Sequence, residues 1–280
     1  MKKLWITHLF FLAAIGISLA QTNYKSAFDA GVRLKKEKKC QQAIDSFKLA
    51  LKQNPSFTDA RYEMAWCQND LKDFAGAIGN LKQVRAAWPD YAKVYFELGY
   101  AFEQLERLDS AVAQYEKCLV INPKYSGVYK RLATMAYNKE DYPKALEHYR
   151  KAVEVSADEI NDYLFWYRKG FCENNGQEYE KALESLRKAK EQNRKYTSTY
   201  LEIGFANSKL KRNDSAMAAF QQAIELEPNS HIGYNGIAEI YRDNLKDYET
   251  AMTWYRKTLA INSKERKANY GMGYCLNSQS

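Results

Sequence analysis

The 280-residue sequence is poor in the residues that interrupt helices, since it contains only 13 glycines and 5 prolines. A low-complexity chain would carry more of both, and a disordered chain would not have 46% hydrophobic residues. Only three histidines and no dense acidic or Cys/His cluster are present, which argues against a metalloenzyme. The scarcity of glycine and proline therefore favours helix almost throughout an ordered chain.

Sequence motifs of catalytic sites are also missing. The sequence has no G-x-S-x-G, no phosphate-cradling glycine loop and no H-E-x-x-H. His148 and His231 are far apart and, as shown below, occupy non-equivalent places in the repeating pattern of the chain. Adjacent carboxylates such as Glu140 and Asp141 are typical of a turn. We therefore expect a protein that is not an enzyme and that needs no cofactor and no metal.

The basic residues do not form a concentrated patch. Lysine and arginine number 42 against 34 aspartates and glutamates, which gives a formal charge of +8. The basic side chains are dispersed among carboxylates, so we expect no nucleic-acid partner. The densest cluster, residues 35–39, is predicted to be a helix end and the turn after it. A solvated turn and a contact with anionic lipid or lipopolysaccharide are both consistent with that cluster.

Residues 1–20 have the pattern of a secretory signal peptide. Two lysines precede an apolar stretch over residues 4–19, and Ser18 and Ala20 occupy the −3 and −1 positions before Gln21. This stretch is shorter than the roughly 20 residues that a membrane-spanning helix needs. We expect cleavage after Ala20, no stable membrane insertion afterwards, and a mature chain in a bacterial periplasm or cell envelope. Secretion and an uncleaved membrane anchor are the alternatives.

The sequence contains five cysteines, at positions 40, 67, 118, 172 and 275. An odd number in an exported protein leaves at least one thiol without an intramolecular partner. None of them forms a C-x-x-C, so neither a zinc site nor thioredoxin-like chemistry is supported. The simplest interpretation is that they are small apolar fillers of helix interfaces. A disulfide between Cys40 and Cys67, in consecutive predicted helices, is a second hypothesis.

Several residue types recur with a period near 34. Pro55, Pro89 and Pro123 are 34 residues apart, and Pro228 follows about three periods later. Alanines keep the same period, with a small residue twelve or thirteen positions before each and a bulky residue four positions after each. The seven sets, given as small residue, alanine and bulky residue, are Gly31–Ala43–Phe47, Ala65–Ala77–Leu81, Gly99–Ala111–Tyr115, Ala133–Ala145–Tyr149, Gly170–Ala182–Leu186, Gly204–Ala216–Phe220 and Ala238–Ala251–Tyr255.

This periodic pattern predicts a helical hairpin. Small residues at two places let paired helices approach closely, and the bulky residue lies on the same face as the alanine and fills the space between the helices. Short polar links such as Lys72–Asp73 turn one helix into the next, and Asn–Pro pairs such as Asn54–Pro55 end the second helix. One hairpin cannot bury its own apolar face, so neighbouring hairpins must stack into a solenoid.

The pattern resembles the tetratricopeptide repeat, which has a period of 34 and the signature W-x2-L-G-x2-Y, A-x3-F and P. The best match is the segment 95–102, YFELGYAF, followed by Ala111, Tyr115 and Pro123. The resemblance covers residues 24–276 and implies an all-α, right-handed superhelical solenoid over residues 21–280. The repeats that it implies are 24–57, 58–91, 92–125, 126–159, 163–196, 197–230 and 231–265, with a single helix over 266–277 after them.

Three places depart from the repeat. Residues 160–162 look like an insertion and Ala157 replaces the expected proline, so we expect the fourth and fifth repeats to stack more loosely or at a different angle. Altered turns between helices are predicted near Gly176 and Leu245. The helix over 266–277 looks like a first helix without a second one. Either the array continues beyond Ser280, or another subunit or domain covers this face, which would permit end-to-end assembly.

The resemblance implies that first helices line a concave groove, faced by repeat positions 2, 5, 9 and 12. In this sequence those positions are rich in aromatic residues, which suit an extended peptide or a helix. Trp66 and Tyr100 are the best candidates, because other residues fill the helix-packing positions. Packing between repeats is the alternative role for several of them. The aromatic residues at these positions are Phe28, Tyr62, Trp66, Phe96, Tyr100, Tyr137, Tyr167, Phe171, Phe205, Tyr270 and Tyr274.

Charge beside this surface is uneven along the chain. Asp59, Glu63, Glu97 and Glu103 make the second and third repeats acidic, whereas the following first helices are basic. Such a division could orient a peptide that carries both signs, although solvated helix faces would show it too. The residues predicted to line a partner groove are Tyr62, Trp66, Phe96, Tyr100, Tyr137, Phe171, Lys130, Arg131 and Arg168.

These observations predict a non-enzymatic protein–protein interaction scaffold of the bacterial cell envelope, which binds a peptide or helix of another protein. The alternative function is an envelope polysaccharide-binding or glycan-binding module, in which Trp66, Tyr100 and Phe171 would stack on sugar rings.

Overall fold

The computed structural model describes residues 24–279, which form helices and connecting turns with no strand in that range. The predicted signal peptide, residues 1–20, lies outside the described residues. The described α-helices are α1 (24–36), α2 (Cys40–Gln53), α3 (Thr58–Asp70), α4 (Phe74–Ala87), α5 (Ala92–Gln104), α6 (Leu108–Ile121), α7 (Ser126–Asn138), α8 (Tyr142–Ser156), α9 (Tyr163–Asn175), α10 (Tyr179–Gln192), α11 (Thr197–Lys209), α12 (Asn213–Leu226), α13 (His231–Glu239), α14 (Tyr248–Ile261) and α15 (Arg266–Ser278).

The described residues form two compact units. The first extends to Val128 and contains α1 to α6 with the beginning of α7, and the second runs from Tyr129 and contains the rest of α7 with α8 to α15. Within each unit a helix pairs with the next helix along the chain to form a hairpin, and consecutive hairpins stack. The all-α fold of helix–turn–helix repeats is therefore confirmed. The division into a signal peptide and one repeat domain stays a prediction.

Small and bulky residues meet inside the hairpins as the periodic pattern predicts. Tyr115 of α6 and Phe47 of α2 are fully buried. A Cβ atom added to Gly99 would lie 2.5 Å from the Tyr115 ring, and one added to Gly31 would lie 2.5 Å from the Phe47 ring. No side chain fits at such a distance, so glycine is what allows these first and second helices to pack so closely.

The turns between the helices of a hairpin share one backbone design. Six of them close with a hydrogen bond from a residue to the carbonyl five positions before it, such as Arg107 N to Phe102 O at 2.9 Å. The turn at Gly176 belongs to this set, because Glu178 N bonds to Glu173 O at 2.8 Å. The altered turn predicted near Gly176 is therefore wrong. A non-glycine residue takes the left-handed conformation in every described turn of this kind, at Lys38, Lys72, Glu106, Glu140, Gln177, Lys211 and Lys246.

The altered turn predicted near Leu245 is confirmed. Residues Ile240–Leu245 form a π-helix after α13, and Asp247 N bonds to the Tyr241 carbonyl six positions before it. This accommodates the one additional residue between the small residue and the alanine of the seventh repeat. Asn244 fixes the segment, since its Nδ2 donates to Asn213 Oδ1 at 2.8 Å and to Ser208 O at 3.1 Å.

The insertion after α8 is packed and capped. A 3₁₀ turn covers Ala157–Glu159, and Ile160 behind it is buried. The Trp166 indole donates Nε1–H to the Ile160 carbonyl at 3.2 Å, and Asp162 caps α9 by accepting from Leu164 N at 2.9 Å. Ile160 and Trp166 are buried at the junction between the fourth and fifth repeats. The looser or differently angled stacking of these two repeats stays a prediction.

All five cysteines are buried and carry free thiols, as expected of small apolar fillers. Cys40 and Cys67 belong to one buried cluster, and their thiols lie within hydrogen-bonding reach of each other. The neighbourhood inferred from the sequence is therefore correct, but the hypothesised disulfide is not formed in the structure. Between residues 24 and 279 no helix is long and apolar enough to cross a membrane, and no group of three potential metal ligands occurs.

Candidate protein-interaction surface

We call the side chains at positions 2, 5, 9 and 12 of the first helices the first-helix row. The six aromatic residues of this row that the sequence selected are half-buried, and so are the three selected basic residues. Each selected aromatic side chain contacts another aromatic ring or a cation of the same chain. The row is thus partly occupied in packing one repeat against the next.

Aromatic residues at position 5 pack on the residue that precedes the next repeat. The ring centroids in these pairs are 4.9 to 5.4 Å apart. Burial raises the pKa of Tyr125, the loop member of one pair, to about 12, and it also raises the pKa of Tyr62. The pairs are Phe28–Phe57, Tyr62–Tyr91, Phe96–Tyr125 and Tyr167–Tyr196.

Aromatic residues at position 9 contact the start of the second helix in the preceding repeat. All four contacts are edge-on, with centroids 5.2 to 6.2 Å apart, the favourable geometry for two rings. These contacts explain why Tyr100 and Phe171 are only half-exposed. The pairs are Phe74–Tyr100, Tyr142–Phe171, Tyr179–Phe205 and Tyr248–Tyr274.

Trp66 is covered by a cation instead of an aromatic ring. The Lys35 ammonium lies 4.6 Å from the Trp66 ring centroid, and it also pairs with Glu63 of the same first helix as Trp66. The Trp66 face that would meet a ligand is therefore partly occupied by a side chain from the preceding repeat.

Several charged residues near the row are partners of the neighbouring repeat. Asn69 Nδ2 donates to Glu97 Oε2 at 2.9 Å, and Asn174 Nδ2 donates to Glu202 Oε2 at 2.8 Å. Burial raises the pKa of Glu202, and the bond from Asn174 opposes that rise. Since Glu97 is bonded in this way, part of the predicted acidic character links adjacent first helices.

The basic residue Arg168 behaves similarly. Its guanidinium carbon lies 5.4 Å from the ring centroid of Tyr137, another selected residue. Tyr137 also meets Phe171 at 5.6 Å, so three selected residues come together in the second unit. Burial raises the pKa of Tyr137 to about 12. Lys130 and Arg131 lie half-buried earlier along the chain, on α7.

The most exposed apolar side chains of the row lie in the last three first helices. We call Phe205, Ile232, Tyr270 and Tyr274 the exposed set, because between 39% and 72% of each side chain is accessible. The sequence placed the three aromatic residues in the row but did not select them, and it missed Ile232. Ile232 occupies position 2 of the seventh repeat, and that position was the sequence signal that could have identified it.

A cation accompanies each aromatic member of the exposed set. Lys209 Nζ lies 5.3 Å from the Phe205 ring centroid, and the Arg242 guanidinium carbon lies 5.9 Å from that of Tyr274. Tyr270 lines an open cleft of about 610 Å³ together with Glu265, Arg266 and Lys267. An aromatic ring beside a cation suits a ligand that carries both apolar groups and carboxylates.

A second cleft of about 410 Å³ lies beside the Tyr142–Phe171 pair. Its lining includes Tyr142, Leu146 and the ion pair between Arg150 and Glu178, whose charged atoms are 2.5 Å apart. Since the Arg150–Glu178 pair is satisfied internally, this cleft offers less charge to a ligand than the cleft at Tyr270.

Comparison with known sequences identifies the repeats. Sequence models described as tetratricopeptide repeat match residues 70–126, 130–196, 197–230 and 233–265. Among curated proteins, Anaphase-promoting complex subunit 3 of Schizosaccharomyces pombe is 26% identical over 131 residues. That alignment includes 47% of this chain and only 14% of the relative, so the chain corresponds to a small part of that protein.

Solved structures with the same fold include three proteins of low sequence identity to this chain. YrrB, described as a TPR protein with an unusual peptide-binding site, is 19% identical at a TM-score of 0.61, with 68% of this chain and 96% of YrrB covered. The C-terminal part of a TPR repeat-containing protein from Cytophaga hutchinsonii is 19% identical at a TM-score of 0.60, and the alignment covers 88% of this chain and 99% of that protein. Pseudomonas aeruginosa pilF is 17% identical at a TM-score of 0.61, and the alignment covers 79% of this chain and 99% of pilF.

At these identities the structural likeness establishes the fold. Proteins built from this repeat are in general interaction scaffolds without catalytic activity. The matched segments include most of the chain, and the hairpins have the repeat's period and its close small-to-bulky contacts. The chain belongs to the tetratricopeptide repeat family.

Proposed function

We propose that the protein is a non-enzymatic scaffold that binds a peptide or a helix of another protein on its first-helix row. The observation that carries this proposal is the exposed set, four accessible apolar side chains at row positions, three of them beside cations. Exposed aromatic residues provide large contact areas at a low cost in side-chain entropy. YrrB, which has the same fold, is described as having a peptide-binding site.

The chemistry of the row suggests the composition of the ligand. Lys209 and Lys267 stand beside exposed aromatic rings, so carboxylates on the ligand would gain attraction and faster association. Arg242 contributes less charge, because it already pairs with Asp243 at 2.6 Å. Apolar side chains of the ligand would then cover Phe205 and Tyr274. We therefore propose an acidic peptide with interspersed apolar residues as the preferred ligand of the second unit.

The residues selected from the sequence form the rest of the proposed surface. In the first unit these are Tyr62, Trp66, Phe96 and Tyr100, all of them half-buried. In the second unit the corresponding residues are Tyr137, Phe171, Lys130, Arg131 and Arg168.

We place this scaffold in a bacterial cell envelope, in the periplasm or secreted, on the strength of the N-terminal sequence pattern. Expression of the full chain with a C-terminal tag, followed by cell fractionation and N-terminal sequencing, tests this location. Cleavage after Ala20 and recovery outside the cytoplasm are expected. An uncleaved chain in the cytoplasm would contradict it.

Binding on the row can be tested with a random peptide library displayed on phage. Peptides selected on the purified protein should be enriched in acidic and apolar residues, and the double variant Phe205→Ser with Tyr274→Ser should bind them at least tenfold more weakly in fluorescence anisotropy. The matched control is Leu49→Ser with Val120→Ser, since these exposed apolar side chains lie on the second helices α2 and α6.

Two results would contradict the proposal. Equal binding of selected peptides to wild type and to the row variant would remove the row as the site. Retention of envelope glycans on an array, lost in the row variant while no peptide is selected, would identify the glycan-binding alternative instead.

A further inference from the structure

Leucine is the commonest residue directly before the left-handed residue of a hairpin turn. It occupies this place in four of the seven described turns, as Leu71, Leu105, Leu210 and Leu245. Leu71, Leu105 and Leu245 are 42% to 45% accessible, and Leu210 is less accessible still. Each of these leucines therefore packs more than half of its side chain on the protein and covers part of the surface beside the turn.

The fifth hairpin has glycine at this place. Gly176 is exposed and has an ordinary φ of −80°, because the left-handed residue of its turn is Gln177. A Cβ added to Gly176 would lie 3.5 Å from the Cys172 carbonyl oxygen, a normal van der Waals distance. Unlike Gly31 and Gly99, Gly176 is thus required neither by its backbone conformation nor by close packing. Its effect is to leave uncovered the surface that a leucine covers in other hairpins.

The cleft of about 410 Å³ in the second unit lies at this uncovered place. Gly176 lines it from the turn, and Tyr142, Pro143 and Leu146 line it from α8. Leu146 and Cys172 are buried and form its inner wall, whereas Pro143 is exposed at its rim. Ligand pockets have volumes of about 300 to 1,000 Å³ and are mostly apolar. The cleft therefore has the size and the lining of a site for an apolar group.

The charges at the rim of the cleft are already paired. Lys181 and Arg150 both bond to the Glu178 carboxylate, at 2.6 and 2.5 Å, and they hold the pKa of Glu178 below its usual value. A charged ligand group at this rim would have to break one of these pairs and leave a charge without a partner. The cleft therefore favours an uncharged aliphatic group over a carboxylate or an ammonium group.

We propose that this cleft binds a leucine side chain of the peptide that docks on the first-helix row, an inference that rests on the proposed function. Tyr142 joins the two surfaces, since it lines the cleft and its ring centroid lies 5.2 Å from that of Phe171 and 5.7 Å from that of Tyr137. A peptide that covers Phe171 can continue over Tyr142 into the cleft. Leucine is the expected anchor because the chain itself places leucine where Gly176 leaves room.

An engineered thiol at the rim measures which groups the cleft accepts. Asn175→Cys places the thiol on the exposed last residue of α9, which lines the cleft. The variant is equilibrated with 2-mercaptoethanol and with small disulfides of equal length that end in an isobutyl, a carboxylate or an ammonium group. Intact mass should show at least tenfold stronger capture of the isobutyl compound than of either charged compound.

Two matched variants control this measurement. Gln104→Cys places a thiol on the exposed last residue of α5, directly before Leu105, and should show no preference for the isobutyl compound. Addition of Gly176→Leu to Asn175→Cys fills the cleft and should abolish the preference. Wild type, in which all five thiols are buried, gives the background.

Peptide binding tests whether the partner uses the cleft. Peptides selected on the wild type from the phage library should contain a leucine, and Gly176→Leu should bind them at least tenfold more weakly in fluorescence anisotropy, because that leucine can no longer be buried. Replacement of the same leucine by alanine in the peptide should weaken binding to wild type by a similar factor and have little further effect on Gly176→Leu.

Gly79→Leu is the matched control for this substitution. Gly79 is an exposed glycine of α4 with no atom within 4 Å of an added Cβ, so leucine fits there as well. Gly79→Leu should bind the selected peptides as wild type does, and both leucine variants should unfold at the wild-type temperature or above it.

Equal capture of the three compounds by Asn175→Cys would overturn the inference, and so would equal peptide binding by Gly176→Leu and wild type. If the row variant Phe205→Ser with Tyr274→Ser loses binding while Gly176→Leu does not, the proposed function stands and the leucine anchor is wrong. If no peptide binds the wild type, the proposed function and the inference fail together.

Discussion

Two hairpins of this chain, α5–α6 and α13–α14, pack a first helix against a second helix in the same way but differ in the number of residues between the small residue and the alanine. Twelve positions separate Gly99 from Ala111 in the first, and thirteen separate Ala238 from Ala251 in the second. The additional residue is absorbed by the π-helix Ile240–Leu245. The turn keeps its left-handed residue in both hairpins, so a change in the winding of the helix accommodates the additional residue.

The interiors of these hairpins also differ. Tyr115 of α6 donates its hydroxyl to Glu103 Oε2 at 2.6 Å, whereas the equally buried Tyr255 hydroxyl of α14 has no hydrogen-bond partner among the described residues. Glycine stands opposite the anchored ring of Tyr115, and alanine stands at the same repeat position opposite Tyr255. The hydroxyl bond is one way of holding a ring against glycine, since a Cβ on Gly31 would lie equally close to Phe47, which has no hydroxyl.

The largest effect is expected from Gly99→Leu. An added Cβ would lie 2.5 Å from the Tyr115 ring, which its hydroxyl bond prevents from moving away. Overpacking of this kind should cost about 3 kcal/mol of unfolding free energy. Urea unfolding, with hydrogen exchange of the α5 and α6 amides, measures it.

The same substitution in α15, Gly273→Leu, is the control, because nothing surrounds an added Cβ there. Its stability should equal or exceed that of wild type. If Gly99→Leu were as stable as Gly273→Leu, the anchored ring would not be the reason for glycine at position 99.

Removal of the two hydroxyls tests the anchor directly. Tyr115→Phe should destabilise by about 1.5 kcal/mol, the usual value for a hydrogen bond to a charged group. Tyr255→Phe loses no hydrogen bond and should change stability by less than about 0.5 kcal/mol or increase it, since it removes a buried hydroxyl that lacks a partner. Urea titration of both variants checks the difference, and equal losses would contradict it.

A smaller change, an increase in stability, is expected from substitutions in the turns of both hairpins. Glu106 and Lys246 have φ values of 58° and 59°, a conformation that is costly for side chains with a Cβ. Glu106→Gly and Lys246→Gly should each stabilise the protein by roughly 0.5 kcal/mol, after the entropic cost of glycine in the unfolded chain. The two thermal shifts should be alike, and a gain in only one would show that the π-helix strains its turn.

The smallest change in stability is expected from deletion of Leu245, an exposed residue of the π-helix. The deletion restores the spacing of α5–α6 and leaves Asn244 with its partners, so stability should stay within about 0.5 kcal/mol of wild type. A crystal structure of the variant should show the amide of Asp247 bonded five residues back, as in Arg107. A loss above about 2 kcal/mol would mean that the π-helix itself is required.

The fold was predictable because it follows from local, repeated information. The small residue, the alanine and the bulky residue recur at a fixed spacing, and each set of three describes one hairpin interior. The additional residue before Leu245 was visible as a break in that spacing. Gly176 misled because glycine suggests a special turn, whereas the residue in the left-handed conformation is Gln177 and the spacing is regular there.

The candidate surface was less predictable because the partners of its residues lie in other repeats. From the sequence, Phe96 and Trp66 both appeared free to contact a ligand. In the structure Tyr125 stacks on Phe96, and Lys35 lies over the Trp66 ring. Exposure of Phe205 and Tyr274 depends on how much of each ring its neighbour covers, which the order of residues along the chain does not contain.

The buried thiols give this protein a set of internal reporters. Burial raises the pKa of all five, to about 11 for Cys118 and about 12 for Cys172, so little reactive thiolate exists in the folded chain at neutral pH. An alkylating reagent would therefore label each cysteine only when its own helix opens. Mass spectrometry of the labelled peptides would then follow the opening of α2, α3, α6, α9 and α15 separately in unmodified protein.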